Sequence, residues 1–253
     1  MSLDSLADLL QAAAACVAAG RLFSLGLAKR QSALLVYLVE MAVVAFALGN
    51  LPPASAAYFW LYVAYVIINW VVSLYVVREM FALALEGYPG IRTACRWAMY
   101  GGTAISVSAS LALTTMLWNG GARGRSNLFY VEVVNRSVVF TLAVIVVAIL
   151  VFLARYPLNL HPNTYVSTSF FSAVFLSEAA VMLVDSLNQY LYSAQVDRVQ
   201  TIFVAGCFLG WALMLRPQIV TAPARVTVEN SAEKELLQQL ESFNSLLARA
   251  GRR

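Results

Sequence analysis

Charge is what this sequence has least of. Only 12% of its 253 residues are Asp, Glu, Lys or Arg, about half of the roughly 25% carried by a water-soluble domain. So little charge does not cover a water-facing surface, which leaves lipid to do it, and no length remains for a separate soluble catalytic domain. There is one histidine, His161, so most zinc and haem ligand sets are out of reach. The three cysteines, Cys16, Cys95 and Cys207, make no close pair and no metal spacing, and read as small apolar fillers. The only lysines are Lys29 and Lys234, which excludes a Schiff base deep in a late span. No span is Arg-rich, as a voltage sensor would be, and His161 does not stand beside a nucleophile. MSLDSLADLL opens with acids where a signal peptide needs Lys or Arg, so no cleaved signal is expected. The sequence therefore offers no catalytic residue, no metal site and no cofactor. Its net charge of +4 bears on membrane orientation rather than on nucleic acid.

What the chain has in abundance is unbroken apolar sequence. Val138 to Ala154, VVFTLAVIVVAILVFLA, has no charge, Pro, Gly or amide. As a helix it covers about 25 Å, close to the roughly 30 Å hydrocarbon core of a bilayer. A soluble helix would repeat a polar stripe, and only Thr141 interrupts this one. Around it the sequence predicts an all-α, polytopic transmembrane bundle of seven helices. The first covers Leu9 to Ala19, with Ala12, Cys16 and Gly20 as a small face for close contact. The second runs from Ser32 to Leu48 and the third from about Ala57, behind an aromatic cluster from Tyr58 to Tyr65. Helix character in the third continues past Val77 to Glu86, with Gly87 as C-cap and Pro89 as stop. The fourth covers Trp97 to Trp118, with Gly102, Ser106 and Ser110 on one face, and the 119–127 loop breaks the chain. The fifth starts near Asn127, the sixth covers Tyr165 to Leu187, and the seventh covers Val199 to Leu215 with a Gly206/Gly210 pair.

Residues 1–218 thus form the transmembrane domain, 219–230 a polar linker, and 231–250 a short cytoplasmic amphipathic helix. In that helix Leu236, Leu240, Phe243 and Leu247 make a coiled-coil-like seam for a partner. That partner is a second copy or a cytoplasmic protein. Seven spans put the ends on opposite sides. With the N-terminus out and the C-terminus in, nine arginines and lysines fall in inner loops and three in outer loops, as the positive-inside rule requires.

Charge at membrane depth is costly, so each instance is a candidate. Glu40, Asn69 and Glu178 all fall near the middle of their spans. They serve either as structural glue, a protonated carboxyl bonded to a neighbouring helix, or as a proton- or ligand-handling site. Glu132 and Arg136 sit four apart on one helix, with Asp185 at a similar level, and read as an ion-pair group at the outer rim. Arg92 and Arg96 read as inner-leaflet anchors rather than as a phosphate site.

The segments Arg78-Glu79-Met80-Phe81 and Gly87-Tyr88-Pro89-Gly90-Ile91-Arg92, with the short C-terminal helix, resemble a group of small bacterial seven-helix integral membrane proteins of uncharacterised function. The resemblance implies the inner membrane of a bacterium and carries no catalytic residue over. Two functions stand. One is a non-enzymatic protein that senses, signals or organises through its cytoplasmic face. The other is a proton-coupled small-solute transporter or channel using the midplane carboxylates. The first is preferred, because no central span is broken by Pro or by a Gly pair outside packing spacings, as a transporter site would be.

Overall fold

The computed structural model describes residues 3–52, 55–118, 127–155, 161–187, 193–217, 238–242 and 244–247. The 219–230 linker, most of the 119–127 loop, Leu236 and Phe243 lie outside the described residues. The described residues are all-helical with no strands. They form α1 Leu3–Ser24, α2 Ser32–Gly49, α3 Ala56–Ala84, α4 Pro89–Trp118, α5 Asn127–Arg155, α6 Pro162–Leu187 and α7 Ser193–Met214. Residues 238–242 and 244–247 add a short helical segment.

Five of these, α1, α3, α5, α6 and α7, are long and apolar enough to cross a membrane. α2 is also apolar and, at 18 residues, is the shortest of the seven. α4 falls short in composition, because it opens with Arg92 and Arg96 and then runs through Gly101, Gly102, Thr103, Ser106, Ser108 and Ser110. The outside of the bundle is apolar. Leu213 is 84% exposed, Phe46 73% and Ile105 72%, a surface suited to lipid and ruinous in water.

α1 lies between α2 and α7, and α6 lies between α7 and α5. α3 touches α2, α5 and α6, while α4 packs on α5 and more lightly on α3. The core runs through the resulting ring, with Trp211, Phe171, Phe175 and Phe208 fully buried. Tyr37 sits among them, its ring 5.8 Å from Phe171 and 6.3 Å from Phe208, edge-on to both, the geometry that aromatic quadrupoles favour.

Three local expectations are corrected. α1 buries Ala14, Ala15, Ala18 and Leu22, whereas Cys16 and Gly20 face outward. The small stripe is thus rotated away from the contact, and alanine supplies the close approach. α3 ends at Ala84 with Leu85 as its cap, and Gly87 is not left-handed. Among the described residues the left-handed glycine is Gly26 at φ 69°, where Leu27 N–H reaches back to the Leu22 carbonyl at 3.1 Å and closes α1 in a Schellman turn. Of the Gly206/Gly210 pair, only Gly210 meets a neighbour, since a Cβ there would come within 3.0 Å of the Phe170 ring. The α4 stripe does make its contact. Ser106 donates to the Ser137 carbonyl at 3.5 Å, and Ser110 pairs with the Ser137 hydroxyl on α5.

Candidate functional site

One end of the bundle is fastened by polar side chains that serve helices far away in sequence. Gln31, at the N-terminus of α2, has no side-chain capping bond. Glu79 of α3 takes over that work. Its carboxylate accepts the Ala33 N–H, with the Ser32 and Leu34 N–H groups also turned toward it. A carboxylate facing a helix N-terminus is favourable both as a cap and against the helix dipole. At the start of α6, buried Asn163 donates to the Arg216 carbonyl at 2.8 Å and accepts the Arg216 N–H at 3.0 Å. This completes the end of α7. The α3–α4 turn is served by the C-terminal segment. Asn244 Oδ1 accepts the Gly90 N–H at 2.7 Å and the Ile91 N–H at 3.3 Å, satisfying the first orphan donors of α4. Arg30 and Glu86, 2.8 Å apart, tie the α1–α2 link to the same end.

The partner-helix seam is therefore seen in two of its four residues. Leu240 is 3% exposed and packs with Leu85 and Ile91 of its own bundle, and Leu247 adds to the same cluster. Phe81, Tyr88, Cys95 and Phe152 surround it.

From this end inward the buried polar groups are paired at first and then unpaired. Gln31 Nε2 donates to the Ser167 hydroxyl at 3.0 Å, and Trp211 Nε1 donates to the same oxygen at 3.0 Å. The Gln31–Ser167 bond sets α2 in register with α6. Glu40 is nine residues beyond Gln31 and Glu178 eleven beyond Ser167, so they stand about 13 and about 16 Å above that bond. Tyr37 and Tyr65 each lie within electrostatic reach of both carboxyls. Both Glu40 oxygens are buried without a hydrogen-bond partner, and so are the Thr168 and Ser172 hydroxyls on α6. The interhelical bond expected of structural glue is thus missing at Glu40. Asn69 accepts from Ser73 of its own helix at 3.5 Å.

At the other end, Arg136 reaches Glu132 at 3.2 Å, the i,i+4 pair expected from the spacing. Asp185 lies within electrostatic reach of Asp197 on α7, and Tyr62 lies within reach of Glu132 and Asp197. Among the described residues no group of His, Cys, Asp and Glu is arranged to hold a metal ion.

The caps at Glu79, Asn163 and Asn244 are not in the sequence reading, because each partner is distant along the chain. The buried polar face of α6 did have a sequence signal. Asn163, Thr164, Ser167, Thr168 and Ser172 recur at helical spacing, and all five are at most 3% exposed. Compared with protein-family models, with curated proteins and with solved structures, the chain gives no match to any of them.

Proposed function

We propose that the chain is a seven-span protein of a bacterial inner membrane, N-terminus out and C-terminus in. On this reading it senses, signals or organises through its cytoplasmic face and catalyses no reaction. The observation that supports it most is the seat of the C-terminal segment, with Leu240 buried against Leu85 and Ile91 and Asn244 capping α4. Burying one leucine stabilises by about 1.5–3 kcal/mol, and one capping contact by about 1 kcal/mol. A partner present at about a thousand times its Kd gains about 4 kcal/mol, which is enough to displace the segment. Its helix is too short to persist alone in water, so once released it needs another surface, on a cytoplasmic protein or on a second copy. The segment then acts as a latch whose position reports the state of the α3–α4 turn.

Leu240→Ser with Asn244→Ala should release the latch. Protease cleavage of the C-terminal segment should become faster, and oligomer size or partner recovery should change, with membrane insertion intact. Equal protection in the wild type and the double variant would refute the latch. For the topology, a cytoplasm-dependent reporter should be active after Arg253 and silent in the 119–127 loop. The reverse pattern would overturn the sidedness.

A second reading, passage of protons or a small solute, draws on Glu40. Its unpartnered oxygens lie within electrostatic reach of Tyr37 and Tyr65 at mid-bundle, as does Glu178, where an ionisable group is expensive to keep. It expects Glu40→Gln to abolish pH-dependent flux in proteoliposomes while the protein still folds. Unchanged flux would leave Glu40 without that role.

A further inference from the structure

A cavity of about 220 Å³ opens between the end of α3 and the start of α4, lined by Arg78, Phe81, Arg92, Thr93, Arg96 and Met99. Three arginines therefore line one small space. Arg92 and Arg96 are four apart on α4 and lie side by side, an arrangement of like charges that costs a helix stability. Arg78 faces them from α3, with its guanidinium carbon 5.5 Å from the centre of the Tyr75 ring. The nearby acids are engaged elsewhere. Glu79 turns to the start of α2, and Glu86 pairs with Arg30. Among the described residues no carboxylate forms an ion pair with Arg78, Arg92 or Arg96. Thr93 spends its hydroxyl proton on the Pro89 carbonyl at 3.0 Å, and the first amides of α4 are held by Asn244. The donors left to face the cavity are the arginines.

We propose that Arg78, Arg92 and Arg96 form a binding site for a phosphate group. Guanidinium is the side chain best matched to phosphate, because its planar fork presents paired N–H donors. The size agrees, since about 220 Å³ is below the roughly 300 Å³ at which pockets for whole small molecules begin. It suits one charged headgroup rather than a nucleotide. The depth suits a headgroup too. Trp97, which follows Arg96, is 68% exposed, and Tyr75, which meets the Arg78 guanidinium, is 53% exposed, and such aromatic rings settle at the membrane–water interface. The phosphate can come from an anionic phospholipid or from the aqueous phase. The site stands on these residues alone, whether or not the latch reading holds.

The test uses the full-length protein in a neutral detergent. Binding of phosphatidylglycerol is followed by native mass spectrometry, and inorganic phosphate is added as competitor. The wild type is compared with Arg92→Gln/Arg96→Gln, with Arg78→Gln, and with Arg155→Gln, which removes one exposed positive charge at the end of α5 outside the cavity. Loss of a charge-assisted contact should weaken binding about tenfold in the cavity variants and leave Arg155→Gln within about twofold. Arg92→Lys, which keeps the charge and loses the fork, should fall between, and it replaces the double variant if that one does not fold. Lipid retained in excess inorganic phosphate assigns the site to a headgroup. Lipid displaced by inorganic phosphate assigns it to phosphate from the aqueous phase. Equal binding by all variants, or an equal loss in Arg155→Gln, overturns the proposal.

Discussion

The end of the bundle at the α3–α4 turn and the middle of the bundle treat polar groups in opposite ways. At the end, Glu79, Asn163 and Asn244 each satisfy the backbone of another helix. Buried oxygens without a partner occur there too, one each on Gln31, Glu79 and Thr168, but each of the first two residues keeps another polar atom bonded, whereas deeper in the bundle both Glu40 oxygens and the Ser172 hydroxyl have none. A paired polar group fixes geometry, because removing it strands its partner. An unpaired one fixes nothing and costs stability where it sits. The end is therefore built for rigidity, and the middle retains polar groups that rigidity does not need.

Asn163 offers the hardest test of that contrast. Asn163→Ala removes two bonds to the Arg216 backbone at a site 3% exposed. It should lower stability by about 2–3 kcal/mol, seen as a fall in Tm in detergent. A change within about 0.5 kcal/mol, the size expected of an unremarkable substitution, would put the rigid end in doubt. Glu79 comes next. Glu79→Ala should cost about 1–2 kcal/mol as a lost cap, whereas Glu79→Gln keeps an acceptor and should cost less. Equal losses would mean that charge matters at α2 and capping does not.

The middle should respond in the other direction. Glu40→Leu removes unsatisfied buried oxygens and should leave Tm unchanged or raise it. A loss above about 1 kcal/mol would show that Glu40 is bonded after all, and would erase the contrast at its centre.

The smallest effect concerns the C-terminal segment. Burial first, and then the Glu241 charge, hold the Tyr88 hydroxyl above its usual range. A raised acid favours its neutral form when folded. Its contribution is thus complete below the ordinary tyrosine value near pH 10, and is lost as pH rises above it. Protease protection of the segment should decline above about pH 10 in the wild type, and less steeply in Tyr88→Phe. Parallel profiles would dissociate Tyr88 from the docking.

Much of the architecture was legible because it is written in composition. The run from Val138 to Ala154 lies inside α5 (Asn127–Arg155), since no polar stripe competes with lipid along it. The Glu132–Arg136 pair was legible for the same kind of reason, being local to one helix. α4 was harder, because its hydroxyls and glycines lower its hydropathy while serving contacts to α5. The face of α1 was misread. Small residues occupy several stripes of that helix, and the neighbours α2 and α7 decide which one is buried. The trans caps were beyond reach. Glu79 serves a helix 46 residues earlier and Asn244 one 154 residues earlier, and no local pattern encodes either pairing. Arg78 was missed as a companion of Arg92 and Arg96 because only the fold turns α3 back onto α4.

The position of α1 bears on how such a chain is made. Translation delivers α1 well before α7, which is one of its two neighbours and begins only at Ser193. Until then Ala14, Ala15, Ala18 and Leu22 have α2 on one flank and lipid on the other. The ring closes only as α7 leaves the insertion machinery, so the packing of α1 is a late event relative to its own insertion. A ribosome stalled anywhere before α7 should hold an open bundle, with α1 still free to exchange its place with passing lipids.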